Sequence, residues 1–508
     1  MLIDLDNLPS DPGLLHQLLR DMAAAVESRD GEIERLQSII RKLQRAQFGR
    51  RSERLDPNQL ALALEDLDAD VARITEGRPT AAGSVERAQR RKPLPDHLPR
   101  HEVRLDIPSL LCTDCGAALH AIGESVSEML DWVPAQLRVI RTVRPKYACR
   151  TCATVRQAAA PERLIAGGLA TPALLAQVLV SKYCDHTPLY RQSRIFARHH
   201  VELPRSTLAG WVGGACWWLE ALQARLARNV LASDILFADD TPIPVLDPGR
   251  GCTKTGRLWV YARDQRGWAG REPPAALYVY AADRKAERPA AHLGAFKGVL
   301  HVDGYAGFER LTTGGDVVLA ACWAHTRRKF HDVAESTGSP VAAEALRRIA
   351  ELYGIEGAIR GRPPPFRLLA RRERSRPLVT ALRAWLETQL AQIAGRSTLA
   401  EAIRYALARW DGLCRFLNDG RIEMDTNPVE RAIRPVALGR KNHLFAGSDG
   451  GGERWAIVCS LIETAKLNGV EPYAYLAEVL QRMVDGHPAN RLDDLLPWAW
   501  AERNLVKS

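Results

Sequence analysis

The sequence predicts a multidomain α/β protein: an N-terminal helix, a cysteine-bearing ribbon, a helical module, and a mixed sheet domain interrupted by a helical insertion. Three observations carry this expectation. Two Cys-x-x-Cys pairs stand at Cys112/Cys115 and Cys149/Cys152. After residue 230 the pattern changes from helical periodicity to short β-rich runs. Residues 334–419 then return to helical spacing before a further segment, 420–470, resumes.

A chain of 508 residues has ample length for several cores. With 46% hydrophobic and 26% charged residues, its composition is that of a globular protein and excludes a disordered one. The excess of 70 Lys+Arg over 60 Asp+Glu, net +10, favours a polyanionic partner. No apolar run approaches the roughly 20 residues of a membrane span. The start, MLIDLDNLPSD, is acidic and lacks a signal-peptide pattern, so the expectation is a cytoplasmic protein with no membrane partner. In that compartment ten cysteines imply metal or buried thiols, not disulfides.

Residues 1–55 read as a helix with a short coiled-coil seam, from apolar positions at Leu19, Met22, Val26, Ile33, Leu36, Ile40 and Leu43. An amphipathic helix packed on its own protein explains the same spacing. Residues 56–100 turn to Ala, Pro, Gly and charge, including RAQRRKPLPDHLPR, and read as a linker. In the ribbon, 101–158, each Cys pair has two intervening residues, so both thiolates reach one ion and four complete a tetrahedral zinc shell. Residues 116–148 between the pairs imply a long hairpin, and Gly116 allows the tight turn of the first knuckle. Arg138, Arg141 and Arg144 make this ribbon a DNA contact or a solvated basic face. Residues 159–225 read as helices. A helix around 191–199, a turn ending at Pro204 and a second short helix opening on Arg205, Ser206 and Thr207 suggest a DNA-binding helix-turn-helix.

Residues 226–333 supply five strands, in DILFADDTPIPVL, LWVYARD, ALYVYAAD, GVLHVDGY and DVVLAACWAH. Alternation puts Ile235, Phe237 and Asp239 on one face and Asp240 on the other; Val299, His301 and Asp303 likewise share a face. In neighbouring strands Asp239 and Asp303 reach a common cation, and Glu430 offers a third oxygen ligand. Asp239 or Asp303 taken alone reads better as a turn or cap residue, and only the three together point to a metal site. Glu430 also stands three residues after Asn427, the spacing of a capping box, in a helix expected to stop at Pro435. It is surrounded by Arg431, Arg434, Arg440 and Lys441, suited with Arg327, Arg328 and Lys329 to backbone phosphates. His325 caps the sheet or orients a phosphate, and Cys322 and Trp323 read as packing residues. The helical insertion, 334–419, carries a basic run at 367–376 that either touches DNA or forms a plain helical face; 471–508 is a helical tail.

ADDTPIPVL, LWVYARD, HVDGYAGF, ACWAHTRRKF and TNPVERAIRPVALGRKNHLFAGSDGGGERWA resemble the transposases of the insertion sequence 66 family, TnpC type. FGRRSERL, RRKPLPDHLPR and the helical module extend the resemblance over nearly the whole chain. It implies a ribonuclease-H-like DDE core with Asp239, Asp303 and Glu430 as triad, two Mg²⁺ (or Mn²⁺) ions besides structural Zn²⁺, and DNA cleavage with strand transfer. It also implies binding of terminal inverted repeats and target DNA, a homo-oligomer of at least two copies, small accessory proteins and residence at the nucleoid. The family usually has Asp-Glu-Thr at the first acid, where Asp239-Asp240-Thr241 stands here. The alternative is an inactive or domesticated DNA-binding regulator derived from such an enzyme.

Overall fold

The computed structural model describes residues 94–505 except 134, 135, 248, 249 and 444. The expected N-terminal coiled coil and nearly all of the linker lie outside the described residues. The ribbon is a four-stranded sheet of β1 (Arg100–Arg104), β2 (Leu119–Val133), β3 (Gln136–Cys149) and β4 (Val155–Gln157). β2 and β3 form the long antiparallel hairpin that the spacing of the Cys pairs implied. Its basic residues are strand residues with local partners: Arg138 pairs with Asp131, Arg141 with Glu102, and Arg144 donates to the carbonyl of Ala158. Asp131 also accepts from Thr171 Oγ1 at 2.6 Å. Thr171 caps α1 (Pro172–Tyr183), so one carboxylate ties the hairpin to the helical module.

α2 (Leu189–Arg198) and α3 (Arg205–Leu231) follow. α3 is not the short second helix the sequence predicts. Leu208, Trp211, Val212, Ala215, Leu219, Leu222, Leu226 and Val230 continue the helical spacing to its end and are all buried. Its first turn reaches the surface, with Ser206 exposed and Arg205 and Thr207 half-buried.

The central sheet contains β5 (Ile235–Asp247), β6 (Cys252–Arg263), β7 (Ala275–Ala281), β8 (Gly298–Val302) and β9 (Val317–Ala321) in the order β7-β6-β5-β8-β9. β5, β6 and β7 are antiparallel; β8 runs parallel to β5 and β9 parallel to β8. α4 (Glu287–His292) bridges β7 to β8, and a 3₁₀ segment, Ala306–Gly314, joins β8 to β9. The insertion supplies α5 (Trp323–Thr337), α6 (Pro340–Ile359), α7 (Pro364–Ala370), α8 (Arg376–Gln392), α9 (Thr398–Ala408) and α10 (Trp410–Cys414). α11 (Asn427–His443), α12 (Asp449–Leu467), α13 (Pro472–Val484) and α14 (Pro497–Leu505) complete the chain. Ribbon, helical module, sheet, α11, α12 and α13 share one apolar core, whereas the insertion has its own, built from Trp323, Phe330, Ile349, Leu352, Leu382, Ile403 and Phe416.

The basic run 367–376 does not form a uniformly exposed face. Arg367 and Arg371 are fully buried and share Glu356, at 3.2 and 2.7 Å, while Arg367 also reaches Glu423 at 2.9 Å. A π-helical turn, Arg371–Ser375, follows α7, and Arg371 donates to the carbonyls of Phe416 and Asp419 at the chain's exit from the insertion. Removing one partner of a buried, bonded pair strands the other charge. Arg371→Ala is therefore expected to cost about 3–5 kcal/mol in urea unfolding, against about 0.5 kcal/mol or less for its exposed neighbour Arg372→Ala.

Candidate active site and metal centre

β5 and β8 pair in register as far as Phe237 opposite His301, whose rings stack with centroids 4.4 Å apart. Two residues further along the same face stand Asp239 and Asp303. Asp239 lies within β5, where pairing with β8 stops and pairing with β6 continues. Its rung is Asp239–Val260–Tyr278, and the Tyr278 hydroxyl donates to the carbonyl of Ala432. α11 consequently lies over the Asp239 face and carries Glu430 to it. Asp240 belongs to the opposite face, bonded to Arg257 at 2.9 Å and Arg284 at 2.8 Å.

The start of α11 is built differently from the expected capping box. The Thr426 carbonyl accepts the Glu430 N–H at 3.1 Å, so Thr426 is the cap, and Asn427, bonded to Asp425, is already helical. Nor does Pro435 stop the helix, which runs on to His443 because Val429, Ala432, Val436 and Gly439 keep one side packed on the core. Thr426 Oγ1 stands 3.1 Å from Glu430 Oε1 and 3.2 Å from Cys322 Sγ, and the Thr426 N–H donates to the same sulfur at 3.4 Å. Cys322 is thus both a packing residue and the anchor of the cap, with its thiol pushed up to about 11 by burial. His325 Nδ1 comes within 3.8 Å of Glu430 Oε1, so this ring faces the carboxylates rather than merely covering the sheet end. Cys322, His325 and Glu430 have donor atoms within 4.8 Å of one another. A Cys-x-x-His step at a strand-to-helix junction was the available signal for this cluster.

Burial and then the charge of Asp303, with smaller contributions from Asp240 and Glu430, push the Asp239 carboxyl up to about 7. Asp303 and Glu430 retain 20% and 24% side-chain exposure, which leaves the site open to a large substrate. Among the described residues no lysine or arginine ion-pairs with Asp239 or Glu430, and Asp303 has only Arg284, at 3.9 Å. Carboxylates that raise one another's pKa and lack matching cations suit hard divalent cations. The surrounding cations are unequal. Arg431 pairs with Asp264 at 3.5 Å and Arg440 donates to the carbonyl of Pro242, whereas Arg434, Lys441, Arg327, Arg328 and Lys329 are exposed.

At the ribbon, Cys112 and Cys149 are buried while Cys115 and Cys152 face solvent. Their sulfurs lie 3.3 Å (Cys112–Cys152), 3.5 Å (Cys115–Cys149) and 3.6 Å (Cys115–Cys152) apart. A tetrahedron with Zn–S of about 2.3 Å has edges of about 3.8 Å, so the cluster is close to that size. Each knuckle closes on a residue in the left-handed region, Gly116 at φ +72° and Ala153 at φ +58°. Hydrogen bonds from the Thr154 side chain and backbone lower the Cys152 thiol, whereas at Cys115 a backbone hydrogen bond from Ala117 is outweighed by those with the neighbouring thiols, which raise it, so the four titrate as one set.

Residues 167–454 match the family described as Transposase IS66 family, and residues 460–498 the IS66 C-terminal element. Residues 109–153 match the zinc-finger binding domain of transposase IS66, and residues 35–103 the Transposase C of IS166 homeodomain. The chain is 43% identical to the uncharacterized protein y4jD of Sinorhizobium fredii, covering 97% of each. It is also similar to y4qI (43% identical, covering 94% of this chain and 91% of the relative) and y4hP (40%, covering 92% and 88%) of the same organism. The zinc-finger match and the four-cysteine cluster support a structural zinc ion. No helix among the described residues is long and apolar enough to cross a membrane.

Two outcomes are expected. Purified protein should carry one zinc per chain by metal analysis, and Cys149→Ser, which removes a buried ligand, should lower that content to near zero. A carboxylate whose folded pKa exceeds its unfolded value near 4 holds a proton that the unfolded chain has released. In chelator-treated protein, stability should therefore fall as pH rises from about 4 to about 7, and Asp239→Asn should flatten that part of a melting-temperature profile.

Proposed function

The chain belongs to the IS66 family of transposases, and on that premise we propose that it cuts its element's DNA at the terminal inverted repeats and joins the ends to target DNA. The catalytic residues are Asp239, Asp303 and Glu430, a DDE triad on a ribonuclease-H-like core. The observation that carries this reading is that Asp239, buried on β5, feels the charges of Asp303, just past β8, and of Glu430, on the first turns of α11, without a matching set of cations. The strand order, three antiparallel strands flanked by two parallel ones, supports the core assignment.

Two divalent ions, Mg²⁺ or Mn²⁺, would activate the attacking oxygen and stabilise the leaving one when bound. Asp239 and Asp303 would hold both, and Glu430 one, its position set by Thr426 and Cys322. The exposed Arg434, Lys441, Arg327, Arg328 and Lys329 grip backbone phosphates, with Arg431 and Arg440 contributing from their present pairs. Water cuts the phosphodiester first, and the freed 3′-hydroxyl then attacks target DNA in line. Arg205, Ser206 and Thr207, on the first turn of α3, contact the element ends together with the zinc ribbon. Pairing two ends asks for at least two copies of the chain, with small accessory proteins of the element as further partners, at the nucleoid.

Each ligand charge stabilises the transition state by several kcal/mol. Asp239→Asn, Asp303→Asn and Glu430→Gln should each lower Mg²⁺-dependent cleavage of an end-bearing duplex by on the order of 10³-fold, with end binding in a gel shift largely kept. Unimpaired cutting by any one of them removes that residue from the triad.

A further inference from the structure

Beside Glu430 is a cleft of about 510 Å³. That lies within the range of about 300–1,000 Å³ usual for sites that enclose a small organic group. One wall is α5, with Arg327, Arg328 and His331; the other is α6, with Tyr353; Asn427 and Glu430 close it from α11. We propose that this cleft receives one extrahelical nucleotide of the DNA strand being cut, its base against Tyr353 and its phosphate on Arg327 and Arg328. The proposal rests on the catalytic reading above and adds a role for the insertion, since α6 reaches the site only by packing on α5.

The chemistry of the walls selects this occupant. The one acid lining the cleft is Glu430, whereas both arginines are exposed, so its mouth attracts an anion. A bare phosphate leaves the aromatic wall unused, and an intact duplex is too wide to enter. Tyr353 is half-buried with its hydroxyl turned inward, so what it offers the cleft is its ring. Asn427 donates its amide N–H to Asp425, leaving its carbonyl oxygen as an acceptor for an exocyclic amine. A flipped nucleotide provides the plane, the polar edge and the charge together. Because Glu430 belongs to both sites, that nucleotide adjoins the phosphodiester to be cut.

The test uses the full chain with Ca²⁺ in place of Mg²⁺ and duplexes of the element end, each with 2-aminopurine at one position across the cut. A severalfold rise in fluorescence is expected at one position within a nucleotide or two of the cut. Tyr353→Ala and Arg328→Ala should abolish the rise, while Tyr353→Phe, which keeps the ring, should retain most of it. Tyr353→Ala should also weaken end binding by about tenfold, within the scale of one base–aromatic stack. Arg328 is on the surface, so its variant reports on the cleft even if Tyr353→Ala disturbs the insertion. A flat profile on bound DNA, or a rise that survives both alanine variants, overturns the proposal; cleavage measured in parallel with Mg²⁺ then decides the catalytic reading separately. A Tyr353-dependent rise without cleavage keeps the cleft and overturns the catalytic reading. Absence of binding to any end duplex overturns both.

Discussion

The docking of residues 422–426 across the ends of β8 and β9 is the constraint on which the candidate site depends. Four hydrogen bonds make it: the Glu423 N–H to His301 Nε2 at 3.0 Å, the Trp323 N–H to the Met424 carbonyl at 2.9 Å, and the Thr426 N–H and hydroxyl to Cys322 Sγ. Burial drives His301 down to about 4, so its ring stays neutral and can accept at Nε2. Ile422 and Met424 are buried on either side of Glu423. A chain returning from a long insertion carries a loop-closure cost that grows only slowly with length, and this short, well-bonded segment is where the return is secured. Glu430 comes one helical turn after it.

The insertion takes part in that arrangement. Besides its own apolar core, it sends Tyr405 to the Asp303 carbonyl at 2.9 Å and Arg409 to the Gly304 carbonyl at 3.2 Å. Gly304 has φ +101°, and a Cβ there would stand 2.6 Å from Arg409 Nε, so the approach needs glycine. The buried Arg367–Glu356–Arg371 cluster fastens the exit of the insertion to its interior. Both Asp303 and Glu430 are thus held from the insertion side, while Asp239 is held by the sheet.

Neighbouring aspartates have opposite electrostatic surroundings for one geometric reason. Alternation along β5 sends Asp240 toward Arg257 and Arg284 and sends Asp239 toward two further carboxylates. The first is a satisfied structural acid. The second is a cost to the folded chain until positive charge arrives, as expected where function opposes stability. The zinc cluster differs: its thiols are arranged by their own knuckles, whose left-handed closing residues make the site nearly independent of the rest.

Much of this was legible along the chain. The Cys-x-x-Cys pairs encode their cluster through local turns; the five strands, the insertion and the shared faces of Asp239 with Phe237 and of Asp303 with His301 follow from residue periodicity. What failed were inferences that needed a neighbour. α3 is long because its apolar stripe is covered, α11 passes Pro435 because its other side is packed, and Arg367 and Arg371 turn inward because Glu356 is there to meet them. The cap moved to Thr426 because Cys322, far away in sequence, offers it a sulfur. The sequence by itself determined which residues carry charge, thiol and periodicity, since these are properties of single residues and short spacings. Only the tertiary structure decided which carboxylates feel one another's charge, which arginines stay exposed and where a cleft opens beside Glu430, because those depend on segments brought together by burial across more than a hundred residues of chain.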